Sequence, residues 1–227
     1  MKQKSNRNPL KTILIFVVVI GAVAAGYFGS IALFQYLNPQ ETPQPIATNT
    51  SDPAVPDAAI EATDETEIPK STIDDYKVAP DMPRFLSIAK LNMKARILPM
   101  GINSDGAVQA PVNIYDSGWY KGGAKPGTQG ASFIDAHASG STRQGLFAYL
   151  DTLKNGDVVS VEQGDGIVFN YKVVHSETVA RDAVNMDKAL RVYGDASEGL
   201  NLMTCTGKWI ANERTYDQRV VVYTERV

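Results

Sequence analysis

The chain has 227 residues, 44% hydrophobic and 21% charged, with a formal net charge of −3, proportions ordinary for a globular protein. The slight acidic excess, with no basic stripe to neutralise phosphates, argues against nucleic acid as a partner. One cysteine and two histidines leave no intrachain disulfide and no tetrahedral zinc site from these ligands alone. No glycine-rich phosphate loop is present either, so neither a metal nor a cofactor is expected.

Residues 1–11 form a basic tail carrying Lys2, Lys4, Arg7 and Lys11 without an acid. Residues 12–37 then run without a charge, and a helix needs about 20 apolar residues to cross a bilayer. A cleavable signal peptide competes for this stretch, because Ala22, Ala24 and Ala25 resemble a small-residue cleavage site. Hydrophobicity nevertheless continues through Phe28, Ile31 and Phe34, beyond the ~7–15 residues of a signal core. An uncleaved single-pass anchor is expected, with the basic end in the cytoplasm and the remainder outside the membrane. Residues 38–80 hold seven prolines and nine acids against two lysines. Such a stretch buries too little apolar surface to offset its chain entropy, so a disordered stalk is expected.

About 150 residues remain, enough for one domain with its own core. Residues 84–89, 93–98, 157–161, 167–176 and 218–226 read as strands, as do 130–137 and 200–205. Residues 146–150 fit a short helix, and 186–192 are a weaker helical candidate. About eight strands with little helix indicate a mostly β domain over 81–227, an antiparallel barrel or sandwich.

Cys205 closes an apolar run with Leu200, Leu202 and Met203 before Thr206 and Gly207 break the pattern. Such a thiol is either a small core hydrophobe or a nucleophile held rigidly at a strand end. A nucleophile needs a nearby cation and a proton donor for the leaving group. His137 ends an apolar strand and opens into Ala138, Ser139 and Gly140, small residues that admit a substrate backbone; an ordinary loop histidine is the alternative. His175 sits in an alternating row with Phe169, Tyr171 and Val173 and reads as a structural or rim residue. Arg219 opens the β-forming run to Tyr223, either as a surface arginine or as a permanent cation beside the thiol, able to lower its pKa and bind an oxyanion.

Together, the Leu-x-Thr-Cys stretch ending at Cys205, Arg219 before three valines and the strand ending in His137 resemble the sortases, cysteine transpeptidases of Gram-positive surfaces. The resemblance spans 83–227 and includes the Gly101–Gly106 loop, Gly118, Trp119 and Tyr120, the Lys-Pro-Gly of 125–127 and the Asn155–Asp157 turn. It is nearest class F, with class E second. One departure stands out: those classes usually show Ala-Gly-His, whereas here Asp135 and Ala136 precede His137. If the strand persists, Asp135 would share a face with His137 and orient the imidazole or raise its pKa; a solvated strand-end carboxylate is the alternative.

The resemblance implies an eight-stranded β-barrel with short helices. It also implies a catalytic triad of Cys205 as nucleophile, His137 as acid and Arg219 as oxyanion donor. The implied partners are sorting-signal peptides of the Leu-Pro-x-Thr-Gly type and an amine acceptor such as a peptidoglycan precursor, with 177–199 shaping the substrate site and no calcium cluster expected. Two other readings stay open: a pilin polymerase using a lysine nucleophile, and a membrane-tethered binding module whose Cys205 is only core.

Overall fold

The structure, a computed structural model, describes residues 63–104 and 106–227. The expected tail and anchor, and the stalk as far as residue 62, lie outside the described residues. Among those described, no helix is long and apolar enough to cross a membrane.

Eight strands close a barrel: β1 (Pro83–Ile88), β2 (Met93–Met100), β3 (Ser117–Tyr120), β4 (Gly130–Asp135), β5 (Val158–Gln163), β6 (Val168–Ala180), β7 (Glu198–Ile210) and β8 (Thr215–Arg226). Around the barrel the order is β1-β2-β3-β4-β7-β8-β6-β5. Two short helices, α1 (Lys70–Asp74) and α2 (Met186–Ala189), accompany them. The barrel is not wholly antiparallel, as its periodicity had suggested: β2–β3 and β4–β7 run parallel. Parallel neighbours need long crossovers, and 101–116 and 136–197 supply them. Alternation of side chains reports which face is buried but not the direction of the neighbouring strand.

That alternation sorts the wall into two faces. Ile134, Leu200, Leu202, Val220 and Val222 point into the barrel with Leu86, Ile97 and Tyr171. Phe133, Met203, Val221 and Tyr223 belong to a second cluster with Met186, Ala189 and Leu190. The 186–194 segment thus covers the outer face of β4, β7 and β8. Asn201 fastens it there, its buried Nδ2 donating to the carbonyls of Ala189 and Arg191 at 2.7 and 2.8 Å.

The ordered unit reaches further toward the N-terminus than residue 81. Asp64 pairs with Asn113 in a parallel bridge, its N–H donating to Val112 O and its carbonyl accepting from Ile114 N, each at 2.9 Å. The Glu65 carboxylate accepts from Ser141 N, Thr142 N and the Thr142 hydroxyl, and Arg143 pairs with Glu67 at 2.8 Å. Residues 64–67 of the expected stalk therefore strap two loops together, using acids that composition alone had placed in a disordered stretch.

Candidate active site

The outer face of β4, β7 and β8 collects the candidate residues. Cys205 stands opposite Arg219 in the β7–β8 ladder. Beyond Cys205 the ladder register shifts between Thr206 and Trp209, and Gly207 takes a φ of +88°. This bulge is the break the sequence showed, although β7 resumes through Ile210. A bulge re-aims side chains beside it, and Cys205 is half-buried rather than sealed in the core.

His137 lies two residues past the end of β4 and is tied to the cysteine strand through its neighbours. The buried Thr204 hydroxyl donates to Ala136 O at 2.7 Å, and Phe147 N donates to His137 O at 2.9 Å. A Cβ on Gly145 would fall 2.3 Å from His137 O, so only glycine permits that approach. The imidazole Nε2 is 2.7 Å from Pro111 O. A carbonyl only accepts, so Nε2 carries the proton and Nδ1 is the nitrogen open to exchange one.

Arg219 is held by its own loop. Nη1 donates to the carbonyls of Tyr216 and Gln218 at 2.9 and 2.8 Å, and Nη2 to Thr215 Oγ1 at 3.1 Å. Two carbonyls and a hydroxyl fix the guanidinium without neutralising it. Its effect on the thiol is smaller than the sequence suggested: burial pushes the Cys205 pKa up and negative charge on Asp135 adds to the rise, while Arg219 and the Thr215 hydroxyl only partly offset it. The resting group is a neutral thiol.

Two cavities flank the pair. An apolar one of ≈ 340 Å³ runs under α2 between Val108, Tyr120, Leu190 and Met203, and reaches Asp135 and Arg219. A second, of ≈ 580 Å³ and mixed polar and apolar lining, lies between the 138–141 loop and the β7–β8 turn, walled by Ser139, Trp209, Thr215 and Tyr216. The residues common to both are His137 and Cys205. A third, more open hollow at 185–194 contains none of the candidates.

His175 is elsewhere, its ring 4.7 Å from that of Tyr193 and its Nε2 3.9 Å from Glu177. Asp135 does share the barrel's outer face with the site, but β4 has ended before His137, so the strand-face pairing with the imidazole does not form. Thr204 and Thr215 were not singled out in the sequence. The threonine of Leu-x-Thr-Cys was the available signal for the first, and nothing marked the second among several loop threonines. Among the described residues no cluster of acids, histidines or cysteine could hold a metal.

A thiol opposite a guanidinium, lining the same two cavities as an imidazole, is the equipment of a cysteine enzyme of acyl transfer. The sortase-domain family model matches residues 86–227, more than half of the chain, and the protein belongs to the sortase family of cysteine transpeptidases. No curated protein matches it. Solved structures similar to it include sortase C1 of the group B Streptococcus pilus island 1 (22% identity, 67% of this chain and 66% of that one, TM-score 0.49). Sortase C from Clostridium perfringens shows 24% identity over 72% of this chain and 77% of that one, with a TM-score of 0.45. A lid mutant of sortase A from Corynebacterium diphtheriae shows 20% identity over 65% and 70%, with a TM-score of 0.48. The chain spans just under two thirds of the first of these.

Proposed function

We propose that this sortase is membrane-anchored, with its barrel outside the cell, and that it transfers surface proteins bearing a Leu-Pro-x-Thr-Gly-like signal to a cell-wall amine. The observation that carries the reading is the pair of cavities meeting only at His137 and Cys205. A transfer between two substrates needs two approaches to one nucleophile, and a core cysteine needs neither.

In this reading the apolar cavity takes the peptide upstream of the scissile Thr–Gly bond, and the second, mixed one takes the departing and then the incoming amine. His137 Nδ1 accepts the thiol proton, and Cys205 Sγ attacks the threonine carbonyl. The negative oxygen is stabilised by Arg219, whose remaining N–H groups are unengaged by the described residues. As the C–N bond breaks, His137 returns the proton to the glycine amine and the thioester remains. The acceptor amine then attacks the thioester, loses a proton to His137, and releases the thiol. Classes F and E, the nearer resemblances, and a lysine acceptor on a pilin subunit differ in which peptide and which amine enter.

Cleavage of a quenched Leu-Pro-x-Thr-Gly peptide by the soluble 63–227 fragment tests the roles. Cys205→Ala is expected to abolish turnover. His137→Ala is expected to cost about 10²–10⁴, and Arg219→Ala about 10²–10³, with His175→Ala changing stability more than rate. Full activity in His137→Ala with loss in a folded His175→Ala would mean the other histidine is the acid.

A further inference from the structure

Asp135 is the only acid among the described residues lining the apolar cavity. It lies on the outer face of β4, opposite Gly118 of β3 and Met203 of β7. The residue is 9% exposed, and its sealed Oδ1 has no hydrogen-bond partner among the described residues. The room for the carboxyl is made by Gly118, where a Cβ would fall 2.8 Å from Oδ1. A buried polar group left unpaired costs stability, and nothing in the transfer reaction derived above uses it.

The chemistry of the occupant follows from its surroundings. Burial pushes the Asp135 pKa well up, because a carboxylate is disfavoured in this apolar wall. A cationic occupant would share the cavity with Arg219 and would require a carboxylate in an apolar wall. With Oδ1 sealed, the other carboxyl oxygen is the atom left to meet an occupant, and a carboxamide, which carries both an N–H donor and a C=O acceptor, completes one hydrogen bond with it in either protonation state.

We propose that Asp135 is a specificity residue whose carboxyl reads an asparagine or glutamine side chain in the peptide segment upstream of the scissile bond. The assignment rests on the transpeptidase reading, in which that segment fills the apolar cavity.

Near-isosteric peptide pairs test it, with Asn against Leu and Gln against Met substituted singly at the three positions before the threonine. Binding is read by fluorescence anisotropy on Cys205→Ala, and turnover on the enzyme with its cysteine. At one position the amide peptide is expected to lead by about tenfold in both readouts, the scale of one well-made hydrogen bond. Asp135→Ala is expected to erase that lead, while Asp135→Asn, which also pairs with an amide, retains most of it. Equal or apolar preference at all three positions in the unmodified protein overturns the inference and leaves the sortase reading standing. So does a preference for a lysine peptide that Asp135→Asn abolishes. Failure to turn over any peptide, in folded protein whose Cys205 is alkylated by iodoacetamide, overturns the transpeptidase reading and this assignment with it.

Discussion

The Cys205 thiol is buried enough that desolvation outweighs the nearby guanidinium, and its pKa is raised. Iodoacetamide alkylation of the native protein should therefore accelerate with pH along a titration centred above the usual thiol range. Arg219→Gln should move that midpoint higher, since the cation is what holds it down; an unchanged midpoint would show that the two groups do not interact. Asp135 yields a stability signature of opposite interest. Its folded pKa lies above the unfolded value, so its neutral form is tolerated at low pH and stability is lost as pH rises from about 4 through the folded pKa. Asp135→Asn should match the parent protein in acid and exceed it increasingly toward neutrality, read by urea melts across pH. The cysteine, histidine and arginine were legible because thiol, imidazole and guanidinium are scarce or strand-placed in this chain. The burial of Asp135 was not, because a strand-end carboxylate looks the same in sequence whether it faces water or a cavity. The strength of the Arg219 effect also depends on burial, which no spacing reveals.

At the scale of elements, the site depends on how the end of β4 is tied to β7. The Thr204 hydroxyl is the tie, one residue before the nucleophile and accepted by the carbonyl one residue before His137. Thr204→Val keeps the shape and removes the donor, leaving a buried carbonyl unpaired. It should cost about 1–3 kcal/mol of stability and, through misplacement of His137, up to about 10² in kcat, with Thr204→Ser largely restoring both. Normal kcat in Thr204→Val would show that His137 is positioned by Gly145 and Phe147 alone. The strap at 64–67 belongs to this scale too. A fragment starting at Tyr76 should melt about 2–4 °C below one starting at Thr63, roughly 1 kcal/mol for a domain of this size, and identical melting would show the strap to be passive. Seven of the strands were readable from alternation. The missing one, β3, is four residues with glycine at its second position, too short to show a period. The parallel pairings are fixed by crossover length and tertiary contacts rather than by any residue in the strands.

Over the whole molecule, closure of the barrel leaves no free edge, and one buried ion pair helps fasten it. Arg96 of β2 donates twice to Asp116, from Nε at 2.9 Å and Nη2 at 2.7 Å, and Asp116 is 2% exposed. Removing the acid strands a partly buried guanidinium, so Asp116→Ala should destabilise the barrel by about 3 kcal/mol, visible as a lowered urea midpoint; a change under 1 kcal/mol would show water replacing the carboxylate. A rigid wall of this kind lets two strands and the loop that follows β4 present a thiol, a guanidinium and an imidazole between two openings. In the proposed mechanism Cys205 carries the acyl group from one substrate to the other. Mass spectrometry of the 63–227 fragment, quenched in acid during turnover of a Leu-Pro-x-Thr-Gly peptide, tests it most directly. The expected result is an adduct equal to the peptide up to its threonine, on Cys205, discharged by hydroxylamine and absent from Cys205→Ala. Turnover without such an adduct in a sample rapidly quenched before the first cycle ends, or an adduct that persists in Cys205→Ala, would contradict it.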